Sequence, residues 1–514
     1  MDLILIYLAA GVAIVSYVVY RGIYNRYFHP LRYFPGPFWA SVSDFFKIWI
    51  LHTKQAHTLG VEYHEKYGAI VRAAPNLLAV DDPMLLPQIY HRRVDKTDVY
   101  TVGVLGDIAP PFQTLKHEEH VTKRKRVAAS FTLTNLKSLE GQVDQRIMQW
   151  TSVLTERFAN TGKEMDFASW SQWFAYDMIC QLSFGEPIGF ITQGCDVENL
   201  IKNFHDMAPF AAVVGALPWL VRPVLENPLM RRFFMPKPGD SSGTGKIMAV
   251  QNQQDPASVS DFRDRLLAKR LENPKPGQHG DFLENILNAK NADGSPITLD
   301  EVKTECFVLM VAASDTTSAF FCGFLRYVLE TPGVYDKLVA EIDDFDSRGL
   351  LRNPVPLYDE IKKMPYFTAC YQESVRYQPS TPMIIPRYVS PGGYTLHNQF
   401  IPAGTEIGAN PYVIHRNKRV FGQDADRFRP ERWLDPEKAA FMDKYLLTWG
   451  YGTRICLGKN IAMMETYKLL VQFFRLYRPS INNGSRPIWR QENLALLVHH
   501  DFWIKIALRK VAAG

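Results

Sequence analysis

Cys456 stands in Trp449-Gly450-Tyr451-Gly452-Thr453-Arg454-Ile455-Cys456-Leu457-Gly458, a glycine-rich loop opening onto an apolar run from Lys459 to about Tyr477. A thiolate is a metal ligand, and loop amides together with the positive end of a helix can hold its charge. Gly452 and Gly458 would let the backbone come close to the sulfur. The other five cysteines (Cys180, Cys195, Cys306, Cys322, Cys370) lie far apart, with no C-x-x-C and no Cys/His cluster. Neither a zinc site nor a disulfide framework is indicated, and the compartment reads as reducing. A second polar group, Ser314-Asp315-Thr316-Thr317, sits in the middle of a nearly all-apolar run. Buried polar groups need partners, so its hydroxyls either bond back to carbonyls a turn earlier or serve chemistry. Glu373 and Arg376 form the single E-x-x-R of the chain, and on a helix they face each other at i, i+3.

These residues need elements to position them. Thr298-Leu299-Asp300-Glu301 reads as a capping box that opens a long interior helix through about Leu329 and carries the polar group at its centre. Ala69 to Val80 reads as a hairpin broken at Pro75-Asn76, and helix dominates from about Glu118 to Leu329. Lys237 to Ser260 and Asn273 to Gly280 read as surface loops. Gly243-Thr244-Gly245-Lys246 is rejected as a phosphate loop, because the upstream glycine is misplaced and Ile247 stands where Ser or Thr is required.

From Leu3 to Tyr20 eighteen residues carry no charge. As a helix they reach roughly 27 Å against a hydrocarbon core of ~30 Å. Arg21, Arg26 and Arg32 follow and only Asp2 precedes, which places the body in the cytosol. The basic n-region of a cleaved signal peptide is missing. Residues 1–21 are therefore expected to be a transmembrane anchor, and 22–37, containing Phe28-His29-Pro30-Leu31 and Pro35-Gly36-Pro37, a stiff hinge. Residues 38–514 are expected to form a single domain. The chain has 514 residues, 46% of them hydrophobic and 22% charged, with a net charge of +5 that is not gathered into a block. That composition belongs to a folded protein with a large core and does not indicate nucleic-acid binding.

The cysteine loop resembles the haem-binding signature F-x-x-G-x-R-x-C-x-G of the cytochrome P-450 family, with Trp449 in the Phe position. The resemblance covers nearly the whole chain and is similar in the cysteine loop and the Phe28-to-Pro37 stretch to filamentous-fungal members of the pisatin demethylase group. It implies a mainly α fold with small β-sheets (α+β), holding haem b between the long central helix and the cysteine loop. Cys456 would be the axial ligand of the haem iron, with Trp449 shielding the sulfur and Arg454 pairing with a propionate. Ala312-Ala313-Ser314-Asp315-Thr316-Thr317 resembles the oxygen-activation segment [A/G]-G-x-[D/E]-T-T, with Ala313 in place of Gly. Thr316 would face the reacting oxygen and Asp315 would relay protons. Glu373, Arg376 and Arg432 of Pro430-Glu431-Arg432-Trp433 resemble the family's buried structural triad. His120 and Arg124 match its W/H-x-x-x-R helix, and Arg387 a third propionate contact.

The resemblance also implies insertion of one oxygen atom from O2 into an apolar small molecule, with hydroxylation the expected outcome. Electrons would come from NADPH through a flavoprotein reductase, with cytochrome b5 as a further donor. Substrate contacts are expected from Tyr100 to Phe112, Phe307 to Val311, Ala312, Thr381 to Ile384 and Leu494 to Leu497, in particular Phe112, Phe307, Val311, Met383 and Leu496. A fungal specialised metabolite and an endoplasmic-reticulum membrane are the expected setting. Lys123, Lys125 and Arg126 offer a basic face that would steer an acidic reductase. Two rival readings remain open: a haem-thiolate isomerase or dehydratase that uses no O2, and a membrane-anchored ligand-binding protein without haem.

Overall fold

The computed structural model describes residues 2–101, 108–219, 227, 259–273, 280–291, 293–481, 489–493 and 495–509. The Gly243-to-Lys246 motif, Leu494 and nearly all of the two expected surface loops lie outside the described residues. The helices that matter here are α1 (Asp2–Ile23), α2 (His117–Ala128), α3 (Phe167–Phe184), α4 (Leu200–Ala216), α5 (Leu299–Glu330), α6 (Pro365–Tyr377) and α7 (Lys459–Leu476). Among the described residues the sheets are small.

The apolar helix does not stop at residue 21. With no breaker before Pro30, α1 continues as one wide turn over Tyr24–Phe28, and the most apolar 18-residue window within Tyr7–Phe28 has no buried residue. Residues 22–37 are held against the body. Asn25 Nδ2 donates to Val42 O at 2.9 Å, Arg72 Nη2 donates to Asn25 O at 2.9 Å, and Leu31 and Phe34 are buried. A Cβ on Gly36 would lie 2.4 Å from Arg72 O, so only glycine lets this strap lie against the body.

The strap meets a four-stranded sheet of β1 (Ile70–Ala74), β2 (Leu77–Val80), β3 (Arg387–Tyr388) and β4 (Glu406–Ala409), ordered β1-β2-β4-β3. β1 and β2 form the expected hairpin, with Ile70 opposite Val80. β2 pairs in parallel with β4, which pairs antiparallel with β3 and so fixes Arg387 opposite Ile407. At the centre of the molecule α5 runs for 32 residues, about 48 Å at helical rise. It opens as its sequence predicts: Thr298 Oγ1 accepts from Glu301 N at 3.2 Å while Glu301 Oε2 accepts from Thr298 N at 2.9 Å. α5 is long and apolar enough to cross a membrane, yet 67% of its apolar window is buried, and it packs along α3 as a core helix. Trp150, Phe167, Phe174, Phe321 and Phe473 interlock beside it with ring centroids 5.6–6.4 Å apart.

Candidate functional site

The cysteine loop is a set of tight turns immediately before α7. Cys456 N donates to Trp449 O at 2.7 Å, closing the loop. Gly452 has φ +64°, and a Cβ there would stand 2.9 Å from Tyr90 O, so glycine is required on both counts. Gly458 differs from the expectation. Its φ is −76° and a Cβ would meet Cys456 Sγ at an ordinary 3.8 Å, so its contribution is its amide and not its lack of a side chain. The Cys456 thiol opens onto an interior cavity and is ringed by protein atoms. Burial pushes its pKa above the ordinary value, against the amides of Gly458 and Lys459 and the charge of Arg124, which pull it down.

A cluster of cations faces the same cavity. Arg454 donates from Nη1 to Thr114 O at 2.6 Å and from Nη2 to Leu115 O at 2.7 Å, while its Nε is buried without a partner. Arg387 donates from Nη1 to Tyr100 Oη at 2.9 Å, and its Nε is likewise unpartnered. His120 is buried with Nδ1 unpartnered; burial, then the charges of Arg454, Arg124 and Lys96, push it down to about 3. Burial and the charge of Arg387 lower Arg454 to about 10. Arg124 donates to Ile455 O at 2.7 Å and so holds the cysteine loop itself. Buried cations whose nitrogens lack acceptors ask for an anion, and the two carboxylates of a haem supply it. The residues present therefore fit haem: Arg454, Arg387 and His120 would meet its carboxylates and Cys456 would offer the thiolate.

The opposite wall comes from α5. Thr316 lines the cavity, with its hydroxyl donating to Ala312 O at 2.8 Å, and Ser314 bonds back to Met310 O at 2.6 Å. Both hydroxyls thus make the local back-bonds while the helix stays continuous. Thr317 instead donates to Glu465 Oε1 of α7 at 2.9 Å. Asp315, 3% exposed, turns away from the cavity toward α3 and α4, with Gln172 Nε2 donating to Oδ1 and His205 Nε2 at 3.0 Å from Oδ2.

Glu373, Arg376 and Arg432 are buried together. Arg376 clasps Glu373 through Nε at 2.8 Å and Nη2 at 2.7 Å, and Arg432 Nε donates to Glu373 Oε1 at 3.0 Å. Trp433 Nε1 and Arg429 N also donate to this carboxylate. Burial raises the carboxyl's pKa, but the two arginines more than offset it, so the net shift is downward. Arg376 also donates to the carbonyls of His415, Ala425 and Arg427, pinning the chain that leads to the cysteine loop.

The cavity between these walls measures about 1200 Å³, and Phe112, Phe307, Val311, Ala312, Met383 and Leu496 all line it. Pockets for a single small ligand run about 300–1,000 Å³, so there is room for more than one small ligand. The family model for cytochrome P-450 matches residues 35–502. The chain belongs to the cytochrome P-450 family. It is 33% identical to quiannulatic acid synthase of Emericella variicolor over 469 residues, 90% of each chain. It is 32% identical to the cytochrome P-450 monooxygenase cicH of Emericella nidulans, covering 93% of this chain and 94% of that one. With the cytochrome P-450 monooxygenase gsfF of Penicillium aethiopicum it shares 30% identity over 98% and 99% of the two chains. The chain is accordingly a monooxygenase-family enzyme, similar to fungal ones.

Three residues of this P-450 carry no signal in the motifs. Lys96 is 5% exposed between the Tyr100 and Phe112 rings, at 4.1 and 4.2 Å, and burial with Arg387 and Arg454 drives its pKa well down. His205 reaches Asp315 from a helix with no recognisable motif. Glu465 is a carboxyl inside an apolar helix, a pattern the sequence does display; burial raises it to about 8. The three residues expected to form a basic docking face are not equally free. Lys123 Nζ is spent on Ala109 O and Glu119, Arg126 on Asn291 and Glu301, and only Lys125 of the three is exposed.

Proposed function

We propose that this P-450 inserts one oxygen atom from O2 into an apolar small molecule, with two electrons from NADPH delivered by a flavoprotein reductase. The observation that carries the reading is that the Cys456 sulfur and the Thr316 side chain line one apolar cavity, with unpartnered buried cations at its edge. Haem bound there with a thiolate ligand supplies the activation and cleavage of the O–O bond. Arg454, Arg387, Lys96 and His120 would hold its propionates, and Arg124 would hold the ligand loop. Glu373, Arg376 and Arg432 support the chain around that loop. Thr316 Oγ1, whose hydrogen rests on Ala312 O, would turn that hydrogen toward the cavity, and Asp315 would replace it from behind. Phe112, Phe307, Val311, Ala312, Met383 and Leu496 orient the substrate and exclude water.

The similar fungal monooxygenases, and the acid named in quiannulatic acid synthase, support a specialised metabolite as substrate. Residues 1–28 would anchor the protein in the endoplasmic-reticulum membrane with a single haem domain in the cytosol. The test is oxygen uptake by the haem-loaded protein with reductase. The expected result is uptake that starts with NADPH. A protein that accepts electrons yet consumes no oxygen would overturn the reading in favour of isomerisation or dehydration.

A further inference from the structure

Asp315 is a buried carboxylate on the cavity-bearing stretch of α5, and its two oxygens are held by two different kinds of donor. Gln172, from α3, donates an amide hydrogen to Oδ1. That amide carries no transferable proton at any physiological pH. The other oxygen, Oδ2, lies 3.0 Å from His205 Nε2. A carboxylate only accepts, so the proton of this contact sits on Nε2. Among the described residues the hydrogen bonds and ion pairs of Asp315 include one titratable partner, His205, and about a quarter of that side chain reaches solvent. The imidazole thus joins the bulk to a carboxylate that is itself 3% exposed and adjoins Thr316 on the cavity wall.

We infer that His205 is the positioning and proton-feeding residue of the oxygen reaction, passing protons from solvent to Asp315. This rests on the reading of Asp315 as the relay to Thr316. The imidazolium gives its Nε2 proton to Asp315 Oδ2, leaving a neutral imidazole that takes a replacement proton from water. The neutral carboxylic acid no longer carries the charge that His205 and Gln172 hold, so it is free to turn about its Cα–Cβ bond toward the cavity and release the proton there. The groups facing His205 favour its charged form. Burial lowers its pKa, but Asp315 on α5, Asp196 before α4 and Asp206 on α4 more than compensate, so the net shift is upward. His500 also faces His205, and burial together with neighbouring positive charges, that of His205 included, lowers its own pKa. The loaded pair therefore exists below the raised His205 pKa and is lost as pH rises through it.

Two readouts on the full-length protein test this. The first is acylation of His205 by diethyl pyrocarbonate, followed by mass spectrometry between about pH 5 and 8, the range in which histidine ordinarily changes charge. The neutral ring reacts, so the wild-type onset is expected above that of an ordinary histidine, and Asp315→Asn is expected to move it down. The second is the share of consumed O2 returned as hydrogen peroxide when the haem-loaded protein turns over with reductase and NADPH and no substrate. Asp315→Asn should raise that share several-fold at every pH. His205→Gln keeps a hydrogen bond but carries no proton, and should raise the share at low pH and flatten its pH dependence. A His205→Gln protein with the wild-type profile, alongside an Asp315→Asn protein that leaks peroxide, overturns the role of His205 alone. An Asp315→Asn protein with unchanged peroxide overturns the relay reading itself. An unmoved acylation onset in Asp315→Asn overturns the ion pair.

Discussion

Glu465 shows how one buried group sets a pH dependence. Burial raises its carboxyl from 4.5 to about 8, with Thr317 donating to one oxygen and pulling the other way. Through that window the folded protein holds a proton that the unfolded chain has released, so stability falls as pH rises, by roughly 1.4 kcal/mol per pH unit. Glu465→Gln, neutral at every pH, should remove that slope. Urea unfolding of the two proteins between pH 5 and 8 checks it, and parallel slopes would count against a protonated Glu465. The same scale shows what motifs cannot carry. Cys456, Arg454 and Thr316 stand out by type and spacing, whereas Lys96 and His205 matter through neighbours some hundred or more residues away in sequence, Arg387 and Asp315. Gly458 shows the converse, a motif glycine whose position leaves room for a side chain.

At the scale of elements, the capping box fixed the start of α5 and the apolar run fixed α7, because hydrogen-bond chemistry at Thr298 and hydrophobic period are both local. Where α1 ends was less legible. The sequence places Arg21 as a border, but a positive charge does not stop a helix, and Pro30 does. By spacing alone the Glu373–Arg376 pair would be a weak i, i+3 surface bridge, and only the resemblance to a triad with Arg432 leads one to expect it buried. Burial reverses its weight, since Arg376 also holds three carbonyls from the segment around Ala425. Arg376→Ala strands a buried carboxylate at a cost of about 3–5 kcal/mol. The variant should accumulate with little or no haem, checked by the haem-to-protein absorbance ratio on purification, and a wild-type ratio would contradict the support role.

For the whole molecule, the apolar helix and the strap lie on one side, and the body beside them exposes Trp39, Phe45 and Trp49 by half or more. Amphipathic aromatics of this kind suit a headgroup region. Full-length protein should stay in the membrane pellet through carbonate washing, and its release into the supernatant would contradict a spanning anchor. The arrangement as a whole sets one cysteine on one wall of an apolar cavity, a threonine on the other and a ring of buried cations at the edge. The most direct test is the carbon monoxide difference spectrum of dithionite-reduced membranes, for wild type beside Cys456→Ser at matched protein levels. The account predicts a red-shifted, thiolate-type band in the wild type that is absent from the variant. The same band in Cys456→Ser, or no haem band from well-folded wild type, would contradict it.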